Sequence, residues 1–239
     1  MEAYSWGGIG VSAGHVLYVP VPSLSEVFTF TADCGAAGPT LSDPGGAPSD
    51  VAFDDKRAIV YVSNFGNPCV EVYEDGATSP TRSLCESGYP YGAYGVAVHE
   101  GDVYATVSKL CSDPKYQCSY LVKFPHGRQR GAHVLPLEEE TFQDTVGITF
   151  DLKGNLLAFS ALGYVGIYPP PYTGAPGRTC SLLGGYYGAL DRSNQRLYVG
   201  AGNGVRVFTY PGCKYKYFVR SKIRSDVPIG VAVDTQSGG

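Results

Sequence analysis

The sequence is short of the residues from which long helices are made. Among 239 residues there is one Met and one Trp, and charged side chains are only 17%. A helical protein of this length uses more Leu, Glu, Lys and Met and fewer chain breakers. A basic excess is also missing. The net charge is −4 and the pI about 5.5, which argues against a general nucleic-acid or anionic-membrane binder. No run of 18 apolar residues occurs, so no helical membrane span is expected. The opening MEAYSWGGIG has neither a basic nor an apolar signal region, so no secretory signal is read there. There is no Cys-x-x-Cys to suggest zinc. G-x-S-x-G, H-E-x-x-H and phosphate-cradling glycine loops are absent, so no catalytic motif stands out.

What is abundant is glycine, proline and tyrosine, at 32, 17 and 19 residues, with 44% hydrophobic residues overall. Tight turns joining short aromatic strands produce that bias. The strands repeat. YGVAVHEGDVYATV (Tyr94 to Val107) pairs a run of small and branched residues with a second run centred on an aromatic, across a polar turn. The second run recurs as HVLYVP, AIVYVSN, GNLLAFS and QRLYVG, centred on Tyr18, Tyr61, Tyr104, Leu157 and Tyr198, at spacings of 43, 43, 53 and 41. A third run (EVFTF, VEVY, LVKF, VGIY, VRVF) ends on Phe30, Tyr73, Phe124, Tyr168 and Phe208, at spacings of 43, 51, 44 and 40. One insertion near SKLCSDPKYQ explains the long interval in both series. A fourth short segment, such as SPTRSLC, completes each unit.

Four strands (A to D) in roughly 43 residues are the signature of a β-propeller, and the segments are too short for a βα repeat. The expected fold is all-β: a single propeller domain over 1–239 with blades near 8–49, 50–93, 94–145, 146–186 and 187–228. Strand A is innermost, so Gly95 and Ala97 are small. The turns HEGD, FDLKGN and LDRSNQ supply positive-φ positions and side-chain-to-backbone bonds. PIGVAVDTQSGG then repeats strand A at 229–234. Either this segment closes the ring on the first blade, or it starts a further blade of an incomplete six-bladed propeller. In its GVAV, GVAVD, GNL and VRVF runs, at Gly95–Val98, Gly230–Asp234, Gly154–Leu156 and Val205–Phe208, the chain resembles the NHL-repeat propellers and the related SMP-30-like superfamily. That resemblance implies a propeller; its members include protein binders, RNA binders and enzymes, so function must come from the site.

Strand polarity places the B–C and D–A loops on one face and the A–B and C–D turns on the other. The D–A loops surround the central channel. Trp6, Asp50, Tyr91, Tyr94, Asp144, Tyr186, Tyr187 and Asp226 are the candidate ligand contacts there. The B–C loops add Asn64, Phe65, Asn67, Tyr164 and Asn203. Rings mixed with acids and amides suit a glycan or a protein. Asp50, Asp144 and Asp226 are also candidates for a calcium site, although no cofactor is expected. The four histidines have no ligand or triad spacing, and His15 and His99 read as solvated turn residues. Asp151, Asp191 and Asp234, recurring after strand A, read as turn formers. CKYKYFVRSKIR reads as a cationic outermost strand that discourages edge-to-edge pairing.

Cys111 and Cys118 bracket the insertion, and Cys69 faces Cys85 across a hairpin; both pairs are expected to be disulfides, and the pairing of Cys34, Cys180 and Cys213 stays open. Bridges point to an oxidising place: extracellular, cell-surface or periplasmic. The expected function is a non-catalytic binding or scaffold module with a protein or carbohydrate ligand at the D–A face. A metal-assisted, lactonase-like hydrolase and a structural segment of a longer surface protein are the alternatives.

Overall fold

The computed structural model describes residues 10–11, 16–31, 36–44, 46–89, 91–111, 117–138, 142, 144–182, 185–191, 193–201 and 204–220. They form five antiparallel four-stranded sheets in strictly sequential order, the five blades read from the repeat. Blade 1 holds β1 (Gly10–Val11), β2 (Val16–Val21), β3 (Glu26–Thr31) and β4 (Leu41–Ser42). Blade 2 holds β5 (Pro48–Asp54), β6 (Ile59–Asn64), β7 (Cys69–Tyr73) and β8 (Arg82–Cys85). Blade 3 holds β9 (Ala93–His99), β10 (Asp102–Leu110), β11 (Gln117–Phe124) and β12 (His133–Val134). Blade 4 holds β13 (Thr145–Phe150), β14 (Leu156–Ser160), β15 (Tyr164–Tyr168) and β16 (Arg178–Ser181). Blade 5 holds β17 (Gly188–Leu190), β18 (Arg196–Ala201), β19 (Gly204–Thr209) and β20 (Tyr215–Arg220). Among the described residues no helix is long and apolar enough to cross a membrane.

Turn chemistry sets the hairpins. Between β9 and β10, Glu100 and Gly101 sit at φ 52° and 82°, with His99 opposite Asp102; positive φ at both central residues matches the right-handed strand twist. Asp151 accepts the backbone N–H groups of Lys153 and Asn155 at 2.9 and 2.7 Å, and Asp191 those of Gln195 and Arg196 at 2.8 and 3.1 Å. These acids are turn formers, as their recurrence suggests; Asp234 lies outside the described residues. His99 departs from expectation. Instead of standing in solvent, its ring is half-buried and stacks on Phe150, centroids 4.6 Å apart, because the neighbouring blade reaches over the turn.

Alternation along each strand gives every blade two apolar faces, and four seams join successive blades. Tyr61, Val70 and Leu84 of blade 2 pack on Val103, Ala105 and Phe124 of blade 3. Tyr104 and Leu121 of blade 3 pack on Leu156, Ala158 and Tyr168 of blade 4. Leu157, Val165 and Cys180 of blade 4 pack on Leu197, Val199 and Phe208 of blade 5. Val27 and Leu41 of blade 1 meet Val60, Val62 and Tyr73 of blade 2. Full burial of one such side chain contributes about 1.5–3 kcal/mol, so the blades are held by these seams. Near the axis they come closer still. A Cβ at Gly95 would strike the Val146 carbonyl of the next blade, which is why strand A is built from small residues.

Candidate functional site

The channel mouth is built from the starts of the inner strands. β-Bulges interrupt pairing between Pro48 and Asp50, between Ala105 and Val107, and between Thr145 and Gly147. A bulge adds one residue to its strand and re-aims the side chains around it. Asp50 and Tyr94, read from sequence as loop residues, are therefore members of β5 and β9. The turned-in polar groups tie blades together. The Ser49 hydroxyl reaches the carbonyls of Ala93 and Tyr94, each at 2.9 Å. Thr106 accepts the Gly95 N–H at 2.7 Å and donates to the Val146 carbonyl at 3.0 Å.

Asp50 is 6% exposed. Its carboxyl accepts the N–H of Val51 at 2.9 Å and, from the next blade, that of Val96 at 3.0 Å. Burial outweighs these two bonds and pushes its pKa up to about 8, so the group is mostly neutral at pH 7. Tyr187 is also buried, and burial, with Asp50 and Tyr94 beside it, drives its hydroxyl well above the phenol range. Tyr94 is half-buried and is raised by burial and by Asp144, with the Ser108 hydroxyl opposing. Asp144 is itself raised by burial. Asp50, Tyr94, Asp144 and Tyr187 thus share one electrostatic neighbourhood at the top of the channel. Two of them, Asp50 and Tyr187, are buried wall residues.

The amides of the mouth are also committed to structure. Asn64 is fully buried, donates to both Asp43 carboxylate oxygens at 2.7 Å and accepts the Ala47 N–H at 2.7 Å. Asn67 accepts the Cys69 N–H at 3.0 Å. Tyr186 is half-buried, and its carbonyl accepts the Gly147 N–H at 3.1 Å. Among the described residues, no three His, Cys, Asp or Glu side chains converge in a metal-binding group. Trp6, Asn203 and Asp226 lie outside the described residues.

The rim is different. Tyr91 is 40% exposed and Phe65 55%. Phe65 packs edge-on against Tyr94, centroids 5.2 Å apart. Leu24, Leu110 and Leu162 are exposed as well. Leu24, Phe65, Leu110 and Leu162 follow or end strand B in blades 1, 2, 3 and 4, so with Tyr91 they share the B–C and D–A face. Sequence reading picked out Phe65 and Tyr91 but not the three leucines. The signal was available: in four of the five repeats a large apolar residue stands four to six positions after the centre of strand B, where a polar loop is expected.

The opposite face has a groove of about 420 Å³ between blades 4 and 5, lined by Asp151, Lys153, Arg178, Asn194, Tyr210 and Pro211, among others. Asp151 there has both oxygens occupied, Oδ2 by Asn155 and by the Tyr210 hydroxyl, each at 2.7 Å.

With this geometry in view, comparison places the fold. It is a β-propeller. A chain in the crystal structure of a nidogen/laminin complex aligns with 94% of this chain and 83% of its own length, with a TM-score of 0.75 and 17% identity. A chain of the mitotic checkpoint complex aligns over the same 94%, and 66% of its own length, at 0.64 and 12%. Identities this low show architecture alone. No protein-family model and no curated protein sequence matches the chain; the NHL resemblance rests on its motifs, and the architecture is what the comparison supports.

Both expected disulfides are present: Cys69–Cys85, at opposed positions of β7 and β8, and Cys111–Cys118. A third, Cys180–Cys213, joins blade 4 to the β19–β20 turn of blade 5. Cys34 lies outside the described residues.

Proposed function

We propose that the propeller is a non-catalytic binding module that takes a protein partner on its B–C and D–A face. The observation that carries this reading is the distribution of exposed apolar side chains. Of nine exposed large apolar side chains among the described residues, five, Leu24, Phe65, Tyr91, Leu110 and Leu162, stand on this face, three (Tyr215, Tyr217 and Val219) lie along the edge strand β20, and Leu152 alone is in an A–B turn opposite. Apolar groups clustered on one face mark an interaction surface, and aromatic side chains are enriched at the centres of such contacts. A protein fits better than a glycan because Asp50, Asn64 and Asn67, the groups that would engage hydroxyls, already hold the backbone. Two of the solved chains whose fold it shares come from protein complexes, in keeping with the same reading. Three disulfides favour an oxidising, extracellular setting.

The test is an array of extracellular proteins and glycans probed with three forms: wild type, Phe65→Ala with Leu162→Ser, and Leu152→Ser. The expected outcome is protein hits whose affinity falls at least about tenfold in the double variant, since loss of an anchoring aromatic costs more than 1 kcal/mol. Leu152→Ser should leave them unchanged. Hits that survive the double variant, hits confined to glycans, or binding abolished by calcium chelation would each overturn the assignment.

A further inference from the structure

Four of the five blades bury the same repeat positions, and the fifth does not. On the face toward the next blade, strand C presents Val27, Val70, Leu121 and Val165 in blades 1 to 4, all 1% exposed or less. Strand D presents Leu41, Leu84 and Cys180 in blades 1, 2 and 4, at 5%, 1% and 4%. The blade 5 counterparts are Val205, only half-buried, and Val219, 52% exposed. Tyr198 stands where Tyr61 and Tyr104 are buried, and is half-buried too. Blade 1 shows the complement on its other face. Leu17, Val19 and Phe30 are half-buried. Their counterparts in blades 2 to 5 are at most 7% exposed: Val60, Val103, Leu156 and Leu197; Val62, Ala105, Ala158 and Val199; Tyr73, Phe124, Tyr168 and Phe208. The first and last blades therefore each carry one apolar seam face that the neighbouring blade does not cover.

We propose that residues 229–234 of this chain dock as an inner strand on the open face of blade 5 and begin a sixth sector between blades 5 and 1. Three observations select this occupant. The strand A position of blade 1 is already taken by β1, with Gly10 opposite Tyr18 and Val11 opposite Leu17, so the segment is not needed there. Its Gly230-Val231-Ala232-Val233 repeats Gly95-Val96-Ala97-Val98 of β9. It follows β20 after the eight residues 221–228, and the other blade junctions run from five (43–47) to ten (135–144) residues. In this register Val231 corresponds to Val51, Val96 and Ile148, each 6% exposed or less and each packed on the preceding blade. It is assigned to the same contact with blade 5.

Thiol protection in the full chain tests this. With Cys34 replaced by Ser to remove background, Val231→Cys and Ser237→Cys are labelled with a maleimide under native conditions and again in denaturant. The expected result is native labelling of Val231→Cys at least tenfold slower than of Ser237→Cys, with equal rates once unfolded. Equal native rates overturn the docking. Protection that appears only as protein concentration is raised, together with a dimer in light scattering, also overturns it and assigns the open face to a second copy. Should Val231→Cys not fold, Val233→Cys is read in the same way, because Val98 at its repeat position packs against the blade 2–blade 3 seam.

Discussion

Asp50 shows how much one side chain can depend on the fold around it. A carboxyl held at a pKa of about 8 keeps its proton in the native chain at pH values where the unfolded chain has lost it. The unfolded state then binds fewer protons, and stability falls as pH rises from the usual carboxylate range to about 8. The slope from this group is at most about 1.4 kcal/mol per pH unit, and it levels off above pH 8. Thermal midpoints measured from pH 6 to 9 should therefore decline, and Asp50→Asn should decline less steeply from whatever value it starts. Parallel slopes in the two proteins would remove Asp50 as the cause. Its place next to the inner strand of blade 2 was legible in sequence; its burial was not. The bulge between β5 and β6 places it within β5, and Val96 of the next blade closes over its carboxyl, a contact that residue types around Asp50 do not reveal. His99 fails to read as a stacked ring for the same reason: Phe150, its partner, belongs to the next blade.

At the scale of strands and turns, legibility followed sequence distance. Cys69–Cys85 could be paired because a hairpin register sets the two opposite each other, and Cys111–Cys118 because the two bracket one short loop. Cys180–Cys213 joins a strand of one blade to a turn of another, and that distance depends on blade packing. It also closes the longest loop of the three, a separation of 33 residues against 16 and 7. In the chain-entropy model its removal costs about 3–4 kcal/mol, against about 2 for Cys111–Cys118. Paired Cys→Ser variants unfolded in urea should show the larger drop in midpoint for Cys180→Ser with Cys213→Ser. A reversed order would indicate that the unfolded chain keeps blades 4 and 5 together without the bridge.

Over the molecule as a whole, the number of blades and their strand order came directly from two marker series with one shared insertion. Tight local turns and a fixed period leave few other arrangements. The proposed binding face was half-legible: Phe65 and Tyr91 stood out as aromatics in loops, whereas Leu24, Leu110 and Leu162 are ordinary residue types that become notable only by being exposed on one face. Exposure belongs to the assembled blades, so no single repeat announces it.

Each blade is one contiguous stretch of chain, and this has a mechanical consequence. Pulled from its two ends, the chain should give way one blade at a time, each step releasing roughly 150 Å of length for about 43 residues of extended chain. Oxidised protein should show the blade 5 step shortened most, because the Cys180–Cys213 link keeps the residues between those cysteines out of the extensible length, and the blade 2 and 3 steps shortened less by the smaller loops of Cys69–Cys85 and Cys111–Cys118. A reducing buffer should restore them, so the force trace would count both the blades and the staple between the last two.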